Sequence, residues 1–204
     1  LTRHRHAGRL IGREAGFALG KAQRQYHPRR NLAMLAERPT GVDALTVYGW
    51  SNQGRLADLR PVRAKRMSVS PFAFFRGMPA LMLYDLAWEA NSGLFQQICG
   101  DCHLLNFGGF ASPERNVLFG INDFDETLVA PFEWDLKRLG TSLVIAADEI
   151  DEPPAAGIHA IEQMFMAYRK HLTEITQMSA LQVRYESIDV ADVSTRWVGT
   201  KWVG

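Results

Sequence analysis

The chain has 204 residues, of which 47% are apolar, 10% aromatic and 22% charged. That suits a globular domain with a contiguous core and excludes disordered, fibrous and disulfide-stapled miniature classes. Apolar runs such as Leu143–Ala147 fall far short of the roughly 20 residues that span a bilayer, so no membrane partner is expected. The net charge of +1 is uneven: Leu1–Arg30 hold eight Lys/Arg against the single acid Glu14, leaving the remainder about −6. Residues 1–30 are read as a basic helical N-terminal arm with a solvated face, residues 31–204 as the functional domain, and nucleic acid is not an expected partner.

In chain order, Arg3 to about Gln25 reads as a helix with glycines at 8, 12, 16 and 20, which keep one face small. Pro28, Pro39-Thr40-Gly41 and Asn52-Gln53-Gly54 mark breaks. Leu59–Arg63 is expected to be extended because Pro61 disfavours helix at the residue before it. Ser70-Pro71 is an N-cap followed by proline at the first helical position, and predicts a short helix. A second helix is expected over Pro79–Ala90, closed by Gly93. Phe95–Cys99 reads as a strand, and Asn116–Gly120 with Ile121–Phe124 as a strand pair after the turn Ser112–Arg115. Leu136, Leu139 and Leu143 predict a helix from Trp134 to near Asp148. The stripe Ile158, Ile161, Phe165, Tyr168, Leu172 and Ile175 predicts a core-facing amphipathic helix after Pro153-Pro154.

The chemistry is concentrated between Gly100 and Asp135. Gly100-Asp101-Cys102-His103-Leu104-Leu105-Asn106 and Ile121-Asn122-Asp123-Phe124-Asp125-Glu126 are two polar clusters behind apolar strands. Phosphoryl transfer needs a carboxylate to orient or deprotonate the acceptor hydroxyl, an amide oxygen on a metal, and a second carboxylate bridging metal and phosphates. Asp101 and Asn106 have the five-residue separation of the base and metal ligand in a protein-kinase catalytic loop, and Asp123-Phe124-Asp125 stands where that fold carries its metal-binding Asp-Phe-Gly. Leu104 and Leu105 are read as the apolar anchors of the loop. Hard oxygen ligands suit Mg²⁺ or Mn²⁺. Cys99 and Cys102 form a Cys-x-x-Cys pair with no second pair, so both are read as structural thiols in a reducing cytoplasm rather than zinc ligands. Arg76 is a phosphate or carboxylate partner, or else ion-paired with Asp85 or Asp123. Of Lys137 and Arg138, one should point inward and the other to solvent.

Gly100–Asn106 with Asp123 resembles the corresponding segments of aminoglycoside and choline phosphotransferases, which have the protein-kinase-like fold. A longer resemblance is carried by Arg66-Met67, Ser70–Gly77, Cys99-Gly100-Asp101, His103-Leu104, Asn106-Phe107-Gly108, Asn122–Thr127 and Glu133–Leu139. Over about Gly20 to Val193 the chain resembles the bacterial domain-of-unknown-function family twenty-two fifty-two. The resemblance implies an α+β, mostly helical fold: a kinase-like catalytic lobe whose small β-hairpin presents Asn122–Glu126. It further implies Asp101 as catalytic base, Asn106 and Asp123 as metal ligands, with Asp125 and Glu126 adding a second metal or substrate contact. His103 would brace the loop and Asp135 would tie it to the following helix, with Arg76 and Lys137 as phosphate-binding candidates. Cofactors would be Mg²⁺ or Mn²⁺ and ATP or another nucleotide, and the partner a small-molecule acceptor. Longer relatives continue into a glycine-rich segment and a lysine, for which Gly199-Thr200-Lys201 is no substitute. The chain is therefore expected to be an N-terminal fragment with the nucleotide-clamping lobe missing. Two other readings follow from the same residues: a non-catalytic, pseudokinase-like binding module, and a metal-dependent phosphate-ester hydrolase.

Overall fold

The computed structural model of the chain describes residues 12–190; the predicted helical turns before Gly12, and Gly199–Lys201, lie outside them. Helix α1, Arg13–Tyr26, starts at Arg13 because Gly12 is extended, and space beside Gly16 and Gly20 is open rather than closely packed. Helices α2, Ala44–Ser51, and α3, Arg60–Met67, follow, then α4, Pro71–Gly77, and α5, Pro79–Leu86. Val47, Met67 and Met78 form the buried centre of this helical layer, flanked by Tyr48, Leu81 and Tyr84. Asp43 caps α2 by accepting from Thr46 N (2.7 Å), and Ser70 caps α4 through Ala73 N (3.1 Å), each satisfying an N–H that the first helical turn leaves free.

Helix α3 corrects the extended reading of Leu59–Arg63. Pro61 falls in the first turn, where no N–H is needed and the fixed φ suits a helix, and this outweighs the bias on Arg60. Helix α5 ends at Leu86 rather than Ala90, and Gly93 makes its own turn at φ +70°.

Four strands then build the site. Strand β1, Phe95–Ile98, pairs antiparallel with β4, Leu128–Pro131. Strand β2, Phe107–Ala111, pairs with β3, Val117–Ile121, and β5, Ile188–Asp189, adds to the other edge of β3. The expected break between Gly120 and Ile121 is absent: β3 runs through it, with Phe107 opposite Ile121, and its partner is β2 across the predicted turn at 112–115. Because β1 pairs with β4 and β2 with β3, the β1–β2 loop and the β3–β4 loop are forced side by side. Asn122 N donates to Asn106 O (2.9 Å), and Thr127 Oγ1 to Ile98 O (2.6 Å).

Helix α6, Glu133–Glu149, lies under both loops and packs against α7, Pro154–Ile175. Gly140 faces Ile161 while Gly157 faces Val144, a register that makes the pair antiparallel. The predicted stripe on α7 is only partly covered: Ile161, Tyr168 and Ile175 are half-buried, whereas Ile158, Phe165 and Leu172 are exposed, because α6 contacts one flank. A capping box of Ser179 and Gln182 starts α8, Ala180–Tyr185. Among the described residues no helix is long and apolar enough to cross a membrane. The fold is α+β, dominated by helix, with small antiparallel sheets.

Gly100 sits at φ +83°, and a β-carbon there would run into the backbone carbonyl of Glu126. Gly100→Ala combines left-handed strain with a backbone clash, so it should lower stability by about 2–4 kcal/mol, read as a reduced urea midpoint. An unchanged midpoint would show that the two loops are not in this close contact.

Candidate active site

Three polar residues on one face of α6 hold the β1–β2 loop. Asp135 accepts from Cys99 N (2.7 Å) and Gly100 N (3.0 Å), Arg138 grips Asp101, and Ser142 Oγ accepts from Leu104 N (3.0 Å). Asp135 thus ties the loop to the helix. Arg138 is 1% exposed. Its Nε and Nη2 reach Asp101 Oδ1 (2.7 and 2.5 Å), Nη2 also donates to Phe75 O (2.8 Å), and the guanidinium lies 4.2 Å from the Phe75 ring centroid. Lys137 turns the other way, pairs with Glu89, and is absent from the cleft described below.

Buried anchors of the loop are Cys102, His103 and Asn106, whereas Leu104 and Leu105 are exposed, which corrects their expected role. Loop and helix bond through polar groups, so the leucines are free to face outward. Both cysteines are free and buried, and burial pushes each thiol up. Cys99 Sγ also donates to Asp123 O (3.2 Å), clasping the second loop.

Asn106 Nδ2 donates to Asp101 O (2.8 Å). Only the amide nitrogen can donate to a carbonyl, so Oδ1 is the free atom. Among the described residues it carries no hydrogen bond, and it is not sealed from solvent. Asp123 is exposed at the start of the β3–β4 loop, with Oδ1 accepting from Asp125 N (3.1 Å). Asp101, His103, Asn106 and Asp123 all line one cleft of about 860 Å³. Asp125 and Glu126 are exposed on the same loop but outside that lining, and Glu126 lies 3.9 Å from Arg55. Among the described residues no three His, Cys, Asp or Glu side chains gather as a ready-made metal site. The hard donors available are one carboxylate and one amide oxygen, a set that Mg²⁺ accepts when phosphate oxygens and water complete its shell.

Of the opposite wall, Arg76 alone was anticipated as a phosphate-binding candidate. Arg55, Arg60, Arg63, Arg66 and Arg76 line the same cleft. Among the described residues Arg76 is not ion-paired; Asp85 is taken by Arg38 through two 2.7 Å bonds. The spacing Arg60-x-x-Arg63-x-x-Arg66 is a helical row that becomes legible once Pro61 is placed in a first turn.

Burial raises the Asp101 pKa above the ordinary carboxylate value, opposed by Arg138; burial likewise raises Asp135, against its two N–H donors. His103 is 3% exposed, its Nδ1 has no partner, and its Nε2 is 3.7 Å from Asp101 Oδ2. Burial, then Arg138 and Arg76, push its pKa down to about 4, so the ring is neutral.

Two predictions follow from these charges. The unfolded chain protonates His103 near pH 6.5, while the folded chain refuses that proton until about pH 4. The stability tied to the neutral ring is therefore present above pH 6.5 and lost as pH falls to 4. Asp101 and Asp135, raised, act in the opposite sense. His103→Gln should flatten the acid-side fall relative to wild type in urea titrations across pH 7 to 4; parallel curves would refute a buried neutral ring. Arg138→Met should cost about 3–5 kcal/mol and Asp101→Asn a comparable amount, because each strands a buried group. The double variant should recover much of the sum, and strictly additive losses would deny the coupling.

The profile of a bacterial family described as "Uncharacterized protein conserved in bacteria (DUF2252)" matches residues 55–200, a narrower span than the resemblance suggested at its N-terminal side. No curated protein and no solved structure gives a match. The matched span is well over half the chain and contains both loops, α6 and the arginine row; the chain belongs to the DUF2252 family.

Proposed function

We propose that this chain carries the catalytic, kinase-like half of a metal-dependent phosphotransferase that moves a phosphoryl group from a nucleotide to a small hydroxyl or amine acceptor. The observation that carries the reading is the opening of Asp101, Asn106 and Asp123 on one cleft, with Asn106 Oδ1 and Asp101 Oδ2 free of hydrogen bonds among the described residues. Asn106 and Asp123 are the residues that would hold Mg²⁺ or Mn²⁺. When bound, the ion would neutralise charge on the donor phosphates.

Asp101 is fixed by Arg138 at one oxygen and presents the other to the cleft. It takes the acceptor proton as the new O–P or N–P bond forms and the terminal phosphoanhydride bond breaks, releasing the nucleoside diphosphate. Its raised pKa strengthens it as a proton acceptor. Turnover is then lost as pH falls through that pKa, since the protonated carboxyl accepts nothing. Asn106 joins Asp101 and Asp123 mechanically, because its side chain bonds the Asp101 carbonyl while its own carbonyl accepts from Asn122.

One observation favours the non-catalytic binding module instead: Arg138 occupies an oxygen of Asp101 through a hydrogen bond from Nε and an ion-pair contact from Nη2, an arrangement that also serves structure alone. The test uses the longest natural form of the protein with Mn²⁺ and nucleotide. Asp123→Asn should abolish the change in the Mn²⁺ paramagnetic resonance signal on nucleotide addition. Asp101→Asn, where its melting midpoint shows it folded, should keep that signal and lose about 10²–10⁴-fold in turnover. Full turnover in folded Asp101→Asn would remove Asp101 from the chemistry, and wild-type nucleotide binding without any turnover would select the binding module.

A further inference from the structure

The arginine wall is more than a solvated helix face. Arg60, Arg63 and Arg66 recur every third residue on α3, Arg55 comes from the turn before it and Arg76 from α4, yet all five converge on one concavity. Arg66 and Arg76 are exposed and make no hydrogen bond or ion pair among the described residues. Arg60 and Arg63 bond only neutral groups: Arg60 reaches Arg55 O (3.2 Å), and Arg63 reaches Gly77 O (2.5 Å) and Asn52 Oδ1 (2.9 Å). Of the five, Arg55 forms an ion pair, with Glu126 at 3.9 Å, and Glu126 also acts on Arg63 through space. Among the described residues, four guanidinium groups therefore share a cleft without an ion-paired counter-ion. On the facing wall, Asp101 is already matched by Arg138, which leaves Asp123 as the unmatched acid.

Like charges three residues apart on a helix repel, and burial together with neighbouring Arg55 weakens the hold of Arg63 on its proton. The fold holds this repulsion in a concave place, and an anion entering the cleft relieves it. Guanidinium groups match phosphate oxygens with paired parallel N–H bonds. A volume of about 860 Å³ falls in the range of small-molecule sites.

We infer that the arginine wall recognises a small polyanion bearing two or more phosphate groups, and that this polyanion is the acceptor of the proposed reaction. The word acceptor rests on the phosphotransferase reading; the polyanion site does not. A donor nucleotide enters with its own divalent ion, which already offsets much of its charge, so four unmatched arginines exceed what the donor requires. They suit a second anion seated beside Asp101.

The test is calorimetric titration of the full chain with inorganic tripolyphosphate in EDTA, at low and at physiological salt. One saturable site is expected, weakening steeply with salt as paired charges are screened. Arg66→Glu and Arg76→Glu should each reduce affinity by at least about ten-fold, and because both side chains are exposed and unbonded the melting midpoint should hold. Asp123→Asn, which removes the unmatched acid, should leave affinity equal or higher. No binding, or binding indifferent to both arginine variants, overturns the polyanion site. Repeating the titration in Mg²⁺ with a saturating non-hydrolysable ATP analogue separates the two sources of phosphate. Simultaneous binding supports the acceptor assignment, whereas displacement gives the arginines to the donor and overturns it. Intact tripolyphosphate affinity in a protein that never turns over nucleotide refutes the phosphotransferase reading and leaves the polyanion site standing.

Discussion

Everything around the cleft depends on burying the guanidinium of Arg138. Taking such an ion out of water costs several kcal/mol, and the fold offsets this with three contacts from two residues: the Asp101 carboxylate, and the carbonyl and ring face of Phe75. None is dispensable to the geometry, so the requirement to satisfy Arg138 locks α4, α6 and the β1–β2 loop into one arrangement. Asp135 lies three residues before Arg138 and Ser142 four after it, one turn to either side. The helix face that would ordinarily be an apolar stripe is here a polar rack from which the loop hangs by its own backbone N–H groups.

This rack transmits order into the cleft. With Cys99, Gly100 and Leu104 fixed, the short turn Leu104–Asn106 brings the Asn106 side chain back onto the Asp101 carbonyl, and strand pairing brings Asn122 onto the Asn106 carbonyl. The β3–β4 loop is positioned at second hand, through Cys99, Ile98 and Asn106, and it carries the exposed carboxylates. A rigid loop bearing the buried acid thus faces a more exposed loop bearing Asp123. Opposite both stands α3, and Arg55, in the turn before it, reaches the β3–β4 loop through Glu126. The cleft therefore has a rigid acidic-amide floor and a wall of exposed cations.

Legibility in the sequence followed the physics of each element. The Ser70-Pro71 start, the β1 strand, the Ser112–Arg115 turn and helix α6 were readable because local chemistry alone decides them: a cap, an apolar run, a turn sequence, a leucine period. The grouping of Asp101, Asn106 and Asp123 was readable because the motif spacing encodes the loop. Helix α3 was misread because Pro61 acts in opposite senses on its neighbour and on its own position, and only the helical context decides between them. The arginine row was hidden by that same misreading, since its three-residue period means nothing on an extended chain. One of Lys137 and Arg138 was expected inward, but apolar periodicity, which ranks Leu136 and Leu139 as core, could not say which, and the buried residues of the helix include the charged Arg138 and the polar Ser142. On α7 the stripe was present in the sequence, but a periodicity cannot say how wide its neighbour is, and α6 covers only part of it.

The base role proposed for Asp101 is compatible with its grip by a buried arginine. An ion pair lowers a carboxylate's pKa and burial raises it, and at Asp101 burial is the larger influence, so the net direction is upward despite Arg138. The pairing is also one-sided. Both arginine nitrogens address Oδ1, while Oδ2 has the ring nitrogen of a neutral His103 3.7 Å away, beyond hydrogen-bond length. The arginine therefore sets the plane of the carboxylate without occupying its second oxygen, and the histidine adds no competing charge while its ring stays neutral. Protonating His103 would put a cation beside that free oxygen and draw it away from an acceptor, so the same burial that keeps the ring neutral keeps Asp101 available to the cleft.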